Sequence, residues 1–593
     1  MKISLLDGEK LYYAFFYGKK EVLKKKKHLN EINVFPVADG DTGTNLVLTM
    51  QSIFDGAPMK SSIPEVSKDM AEAALVGSRG NSGIIFAQFL HGLSDAVGDR
   101  KVLNVGEFVH AVRQAVEHAY KAISKPVEGT ILTVMRAWAN RLHALHEKTD
   151  DFKDLLNHSI AAAKKSLQET PQKLKVLREA GVVDAGAQGF VHFLEGIASF
   201  LRHGRKLELD ADAVAELEME DAYAEAIDQE MRFRYCTEGL LKGESIDTEE
   251  VRSIASEFGD SLIVAGSKQR AKIHIHTDRP ADLFFRLRHL GDIVHQKVDD
   301  MHRIRDVHFH RKSSIALVTD STCDLPQAMM DAYQIHMVPT TITVGNSQFI
   351  DKLTLTPHQF YSLLDESEEV PKTSQPSVKA FENLYAYLTS RYDSVISMHL
   401  SKALSGTYEA AKSAAAKFSG KKISVINSRH LSSSLGLMVL RVAQEISGQK
   451  SHEDIVGFAE SLPDKAKLFV CVKTLKYLVR GGRVSPMKGG LAKLLHVKPI
   501  ISLNKEGAST FIAKAFSSEG VIKKILRMIR EYHKQTPVGS FAVGHANAEG
   551  DAVMLGERVQ KILGKAPSFI IDVSPVIGSH AGTGALSVSF LSE

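Results

Sequence analysis

Across roughly the first 205 residues, apolar positions recur at intervals of three and four in stretches rich in Ala, Leu, Lys and Glu. That spacing lays one apolar stripe along a 3.6-residue helix and predicts helix after helix, for example over 69–76, 107–123 and 152–166. A run of acidic positions, among them Glu208, Asp210, Asp212, Glu216 and Glu220, then predicts a linker or helix edge. From 226 to about 310 the period falls to two: Arg232-Phe233-Arg234-Tyr235-Cys236 and Lys272-Ile273-His274-Ile275-His276 alternate as half-buried strands do. Beyond Ser313, short apolar runs at 314–319, 394–398, 423–426, 468–472, 499–503, 541–544 and 569–573 are separated by helical stretches such as 378–389 and 407–418. Such alternation predicts α/β layering, with ligands at the carboxyl ends of strands.

Composition changes this picture little. A chain of 593 residues is too long for one core and calls for about three or four domains. Apolar residues at 44% and charged residues at 24% argue against disorder and fibrous classes. A net charge of +4 makes no case for nucleic acid. Cys236, Cys323 and Cys471 are too few and scattered for a disulfide framework, no run is long enough to span a bilayer, and the N-terminus lacks a signal h-region. The expectation is a cytoplasmic protein.

Candidate chemistry concentrates in a few segments. Asn33 to Asn45 places Asp39 and Asp41 two positions apart in a turn punctuated by Gly40 and Gly43. Hard oxygens on so sharply bent a backbone suit Mg²⁺, although Asp-Gly pairs also make ordinary surface turns. Neither a Walker P-loop nor a protein-kinase catalytic loop occurs. The glycines of Gly77-Ser78-Arg79-Gly80-Asn81-Ser82-Gly83 either let backbone N–H groups approach a phosphate or form a packing turn. Thr130, Thr133 and Asp184 are N-caps or pocket residues, a choice the sequence leaves open. His274 and His276 share one side of a strand, where a nearby Cys would complete a zinc set. Lys24 to Lys27 read as a solvated helix face. Thr373-Ser374-Gln375-Pro376-Ser377 and Leu404-Ser405-Gly406-Thr407-Tyr408 each open a helix, and together could hold one anion.

The Asp loop, Gly77 to Gly83, Pro126-Val127-Glu128-Gly129-Thr130 and Val183-Asp184-Ala185-Gly186-Ala187-Gln188-Gly189 resemble, in order, the dihydroxyacetone-kinase-like nucleotide-binding domain of bacterial fatty-acid kinases. The resemblance implies an all-α helical barrel over 1–205 that binds ATP through Mg²⁺ held by Asp39 and Asp41. It places Thr42, Thr44, Asn45, Gly80, Asn81, Ser82, Gly83, Thr130, Asp184 and Gly186 around the nucleotide. The Tyr-Cys-Thr-Glu and His-x-His-Thr pairing resembles the small α+β middle domain of those kinases, here 226–310, and implies Zn²⁺ on Cys236, His274 and His276. With Arg480-Gly481-Gly482-Arg483-Val484-Ser485 and His580-Ala581-Gly582-Thr583-Gly584-Ala585, residues 313–593 resemble the DegV family, a two-lobed α/β fatty-acid carrier. That likeness implies that Thr373, Ser374, Ser405, Gly406 and Thr407 surround a fatty-acid carboxylate, with Arg483 and His580 at the rim. Thr583 and Ser587 replace the family's usual Pro and Gly, and Ala38 replaces the Pro before the first Asp.

The implied activity is ATP-dependent phosphorylation of a bound fatty acid to acyl phosphate for lipid synthesis, with Asp39, Asp41, Arg483 and His580 as the catalytic set. A lipid carrier with an inactive or regulatory kinase half, and a kinase for a small hydroxylated substrate, remain as alternatives. Two sites that must meet call for a hinge in a linker near 300–313 or for a neighbouring protomer, which favours a homo-oligomer. Transient contact with a membrane surface is compatible with a lipid substrate.

Overall fold

The computed structural model describes residues 2–35, 40–203, 231–366, 370–474, 476–483 and 498–593. Asp39, the acidic segment 206–225 and Ser485 therefore lie outside the described residues. The chain forms two compact units, Met1–Pro280 with Arg286–Arg305, and Ala281–Phe285 with Asp306–Glu593.

In the first unit, helices span Gly8–Lys24, Thr42–Gly56, Ile63–Gly77, Gly80–Val97, Val105–Lys121, Ile131–Leu145, Phe152–Gln168 and Ala185–His203. Local sequence fixes their starts. Asn104 accepts from Glu107 N at 3.0 Å while Glu107 Oε2 accepts from Asn104 N at 2.9 Å, a capping box that opens Val105–Lys121. The first helix packs on the last, closing the helical set, and glycine makes this approach feasible. A Cβ on Gly196 would stand 2.3 Å from Tyr17 O. The core is aromatic at its centre, where Phe193 meets Phe86 and Phe15 edge-on at 5.0 Å.

The same unit carries an antiparallel sheet of β1 (Tyr235–Lys242), β2 (Gly259–Gly266), β3 (Arg270–Thr277) and β4 (Asp292–Asp300), in the order β2-β3-β1-β4. It docks on the helices through backbone bonds from Val264 N to Ala122 O, 3.0 Å, and from Ser124 N to Leu262 O, 3.4 Å. Ile263 and Ala265 thereby join the helical core. The expected linker near 300–313 is mostly a helix, Met301–Phe309.

The second unit contains β5 (Ile315–Asp320), β6 (His336–Val338), β7 (Thr341–Val344), β8 (Ser347–Ile350), β9 (Lys372–Ser374), β10 (Ser394–His399) and β11 (Lys422–Asn427), followed by β12 (Ala466–Cys471), β13 (Lys498–Leu503), β14 (Ser509–Ala515), β15 (Val538–His545), β16 (Ile570–Asp572) and β17 (Leu586–Ser592). Order β11-β10-β5-β6 is a parallel sheet, β8-β7-β9 a small antiparallel one, and β14-β13-β12-β17-β15-β16 a third sheet in which only β15 and β16 pair in parallel. The strand candidates read from the sequence thus divide between two lobes. The second lobe is mostly antiparallel because the C-terminal strand β17 inserts between β12 and β15. Helix Ser432–Ser447 packs on both lobes through buried Leu435, Met438 and Val439, in one cluster with Leu317, Met398, Ala542 and Leu591.

Candidate functional site

In the first unit, three of the segments read from the sequence converge. Asp41 is half-buried at the N-cap of Thr42–Gly56 and makes no side-chain cap to that helix. Thr42, the first residue of that helix, and Asn45, one turn in, are both buried. Thr44 is held from behind by Asn30, which accepts from Thr44 N at 3.1 Å and donates to Thr44 Oγ1 at 3.0 Å. Gly80 has a φ of 58°, and a Cβ there would stand 2.4 Å from Asn45 Nδ2, so only glycine admits this approach. The helix begins at Gly80 itself, which puts Asn81, Ser82 and Gly83 in its first turn. A Cβ on Gly83 would meet Thr49 Oγ1, and one on Gly186 would stand 2.6 Å from Ser82 Oγ and 3.4 Å from Asp184 Oδ1. Asn81 Oδ1 is a buried acceptor without a hydrogen-bond partner among the described residues.

The fourth segment is engaged locally. Thr133 is buried, accepts from Gly129 N at 2.9 Å and donates to Glu128 at 2.7 Å, while Thr130 donates to Val127 O. Asp184 is buried and caps the last helix by accepting from Ala187 N at 2.8 Å, with a further backbone bond from Ile131. Burial pushes its carboxyl up to about 7 despite those two donors. Neither Thr130 nor Thr133 caps helix Ile131–Leu145 with its hydroxyl, and close packing brings Asn45 to Gly80 and Ser82 to Gly186.

One participant was not singled out from the sequence. Glu238 on β1 accepts a hydrogen bond from Gly80 N at 2.8 Å, and its other oxygen lies 3.2 Å from Lys272 Nζ. Burial opposes its ionisation, but the Lys272 ammonium, with His274 and Lys297, holds the carboxyl well below the usual range. Its only sequence signal is its place in Tyr-Cys-Thr-Glu.

On β1 and β3, Cys236 stands opposite His276, and Glu238 opposite His274. One ligand atom from each of Cys236, His274 and His276 lies within 4.8 Å of the others. His274 is buried with both ring nitrogens lacking hydrogen-bond partners among the described residues, and Glu238 Oε1 is 3.6 Å from its Nδ1. An imidazole orphaned at both nitrogens is costly unless an ion satisfies it, so this donor set fits zinc. Burial, then His274, push His276 down to about 3, which leaves it neutral as a ligand must be.

The second unit encloses a cavity of about 420 Å³, within the range of about 300–1,000 Å³ usual for small-molecule sites. Leu468, Val472, Ile501 and Leu586 form buried apolar wall. Thr373, Ser374, Ser405, Gly406, Arg483 and His580 line it, and Ser374 and Arg483 are exposed, which places a polar cluster at the mouth. Thr373 Oγ1 lies 3.4 Å from His580 Nε2, and Arg483 donates to Gly481 O at 2.6 Å. A Cβ on Gly481 would stand 2.1 Å from His580 Nδ1, and one on Gly406 would stand 2.2 Å from Gln375 Oε1, so glycine allows both close approaches. Thr407 is a correction. It is buried and outside the lining, turned to Ser405, whose Oγ is 3.0 Å from its own. Gln375, Ser502, His545 and Ser587 also line the cavity; Gln375 belongs to a motif read from the sequence, and the others carry no local signal. Burial, then the Arg483 guanidinium, push the His580 imidazole down to about 4.

Three family models match in series: the DAK2 domain over 36–199, the middle domain of FakA-like fatty acid kinases over 232–306, and the DegV family over 314–593. One polypeptide therefore carries a DAK2 domain, a FakA-like middle domain and a DegV domain. Among curated relatives, the Bacillus subtilis protein YloV is 34% identical over 313 residues, 51% of this chain and 56% of that protein. An uncharacterised Staphylococcus epidermidis protein is 34% identical over 310 residues, 50% of this chain and 56% of that one. The chain thus spans just over half the length of the curated relatives it matches. Among solved structures, a DegV fatty-acid-binding protein from Bacillus subtilis is 30% identical and covers 47% of this chain and 100% of its own, with a TM-score of 0.44. A DegV-family protein from Thermus thermophilus, solved for its fatty-acid binding, is 28% identical and covers 47% and 99%, with a TM-score of 0.44. Among the described residues, no helix is long and apolar enough to cross a membrane.

Proposed function

We propose that this chain is a fatty-acid kinase fused to its own lipid carrier, which phosphorylates a fatty acid held in the second unit at the expense of ATP bound to the first. The observation that carries the reading is the cavity: buried apolar walls for a tail, and hydroxyls with Arg483 at the mouth for a carboxylate. A bound fatty acid is an ionised carboxylate at neutral pH and a ready nucleophile. Burying about fourteen methylenes at ~0.8 kcal/mol each gives roughly 11 kcal/mol before ordering and association costs, so the tail supplies affinity and the mouth supplies placement.

In the reaction, a carboxylate oxygen forms a bond to the γ-phosphorus as the bond from that phosphorus to the bridging β,γ-oxygen breaks. ADP carries away the electron pair, and the product is an acyl phosphate. The nucleophile has no proton to lose, so no general base is required. Magnesium, when bound, neutralises charge on the β- and γ-phosphates. Asp41, with Asp39, is the carboxylate pair to hold it; Asn45, Asn81 and the first turn at Gly80 are placed to orient the nucleotide. His580, neutral, and Arg483 position the acyl head. The Cys236, His274 and His276 set is assigned a structural zinc. The nucleotide-domain motifs and the kinase-type family models support this reading over a carrier alone.

The test is fatty-acid-dependent release of ADP by the purified chain with Mg-ATP. Release that needs long-chain fatty acid, is not elicited by dihydroxyacetone and disappears in Asp41→Ala while lipid stays bound supports the proposal. Lipid binding without ADP release refutes it.

A further inference from the structure

Away from the nucleotide segments and the Cys236 set, the helical domain brings together a second group of metal-ligating side chains. His91 and Asp95 sit four residues apart on Gly80–Val97, so they share one face of that helix. His118 reaches them from the neighbouring helix Val105–Lys121. Asp95 Oδ2 lies 3.2 Å from His91 Nδ1 and 4.0 Å from His118 Nδ1, and ligand atoms from all three lie within 4.8 Å of one another. The two imidazoles stack at 6.4 Å with planes 20° apart.

Two further observations point to a ligand. His91 Nδ1 is buried and is without a hydrogen-bond partner among the described residues, although Asp95 Oδ2 is 3.2 Å away. The helices are also held close at this point: a Cβ on Gly92 would stand 2.6 Å from His118 Cβ, so glycine is what lets His118 come over His91.

We propose that His91, Asp95 and His118 form a binding site for a divalent transition ion of the zinc class, distinct from the Cys236 set. Bonds of about 2.0–2.2 Å to imidazole nitrogen and carboxylate oxygen place neighbouring donors roughly 3 to 3.5 Å apart, close to the spacing already present. Two imidazoles and a carboxylate suit zinc, cobalt or nickel and are a poor set for magnesium or calcium, which take oxygen. Asp95 is half exposed, so the ion has an open approach and keeps water in its remaining positions. Bound there, it ties the helix that begins at Gly80 to its neighbour. The proposal is independent of the kinase reading.

The experiment is cobalt titration of the metal-stripped full chain, followed by absorption and by equilibrium dialysis. With excess Mg²⁺ present to occupy the Asp41 carboxylate pair, two cobalt sites are expected: one with the intense near-ultraviolet thiolate band of a Cys-ligated ion, lost in Cys236→Ser, and one with weak visible bands only. The second disappears in His91→Ala/His118→Gln while the thiolate band persists, and Asp95→Asn weakens it by about tenfold or more. Persistence of the thiolate band is the internal control that the double variant folds. A titration that saturates at the thiolate site alone, or weak visible bands that survive the double variant, overturns the proposal.

Discussion

Gly80 N donates a 2.8 Å hydrogen bond to Glu238 Oε1, across 158 residues of sequence, so a carboxylate from the middle sheet caps the helix that follows Gly77-Ser78-Arg79. Glu238 is also paired with Lys272, and both are buried. Removing one partner of such a pair leaves the other charge uncompensated, at a cost of about 3–5 kcal/mol. Glu238→Ala is therefore expected to lower the stability of the first unit by that order, and Glu238→Gln/Lys272→Met to recover most of it. The chain has a single tryptophan. Trp138 lies in the helical core and donates to Ser159 Oγ at 3.0 Å, so its emission during urea denaturation reports this unit.

Asp184 acts with the opposite sign to Glu238. Its buried carboxyl is raised to about 7, so between the ordinary carboxylate value and about 7 the folded state keeps a proton that the unfolded chain has released. The contribution is full at low pH and is lost as pH rises through that interval, on the order of 4 kcal/mol. Asp184→Asn keeps an acceptor for Ala187 N and is expected to flatten the pH dependence of the Trp138 transition between about pH 4 and 7. A wild-type slope retained in full by Asp184→Asn contradicts the assignment.

Zinc on Cys236, His274 and His276 is expected to raise the melting temperature of the first unit. At a hundredfold excess over its Kd, a ligand of the folded state contributes about 2.7 kcal/mol, or roughly 4 °C at the unfolding entropy of a unit this long. Chelation should reverse the gain, and His274→Ala should remove the share that this set contributes. A melting temperature indifferent to both says that the buried imidazole is satisfied in some other way.

At the cavity mouth, magnitudes separate head from tail. Arg483 is exposed, and exposed ion pairs are worth at most about 1 kcal/mol, so Arg483→Met should weaken fatty-acid binding no more than about fivefold. Shortening the acyl chain by two methylenes should weaken it about fifteenfold. His580 is neutral above about pH 4, so affinity should show no step near pH 6.5. Calorimetric titration over chain length and pH checks all three.

Much of this architecture was legible in the sequence, for reasons that particular residues make clear. Helix Val378–Thr389 and strands such as β10 follow from periodicity, and alternation put His274 and His276 on one side of β3. Gly80, Gly83 and Gly186 stand where side chains approach closely, which is the mark that the glycines of those segments leave in a sequence. Local pattern could not supply long-range pairing. Glu238 meets Gly80 only because β1 docks on the helices, and β17 separates β12 from β15 only because the chain's last strand returns to the middle of a sheet. Thr407 shows the limit from the other side: a hydroxyl in a well-placed motif turns to its neighbour Ser405 instead of to the cavity.

The most direct test is to incubate the purified chain with Mg-ATP and a long-chain fatty acid, trap the product with hydroxylamine, and measure the acyl hydroxamate beside Asp41→Ala. The account predicts hydroxamate from the wild-type chain and none from Asp41→Ala, with lipid binding equal in both. Hydroxamate formed equally by Asp41→Ala, or bound lipid with no hydroxamate from the wild-type chain, would contradict it.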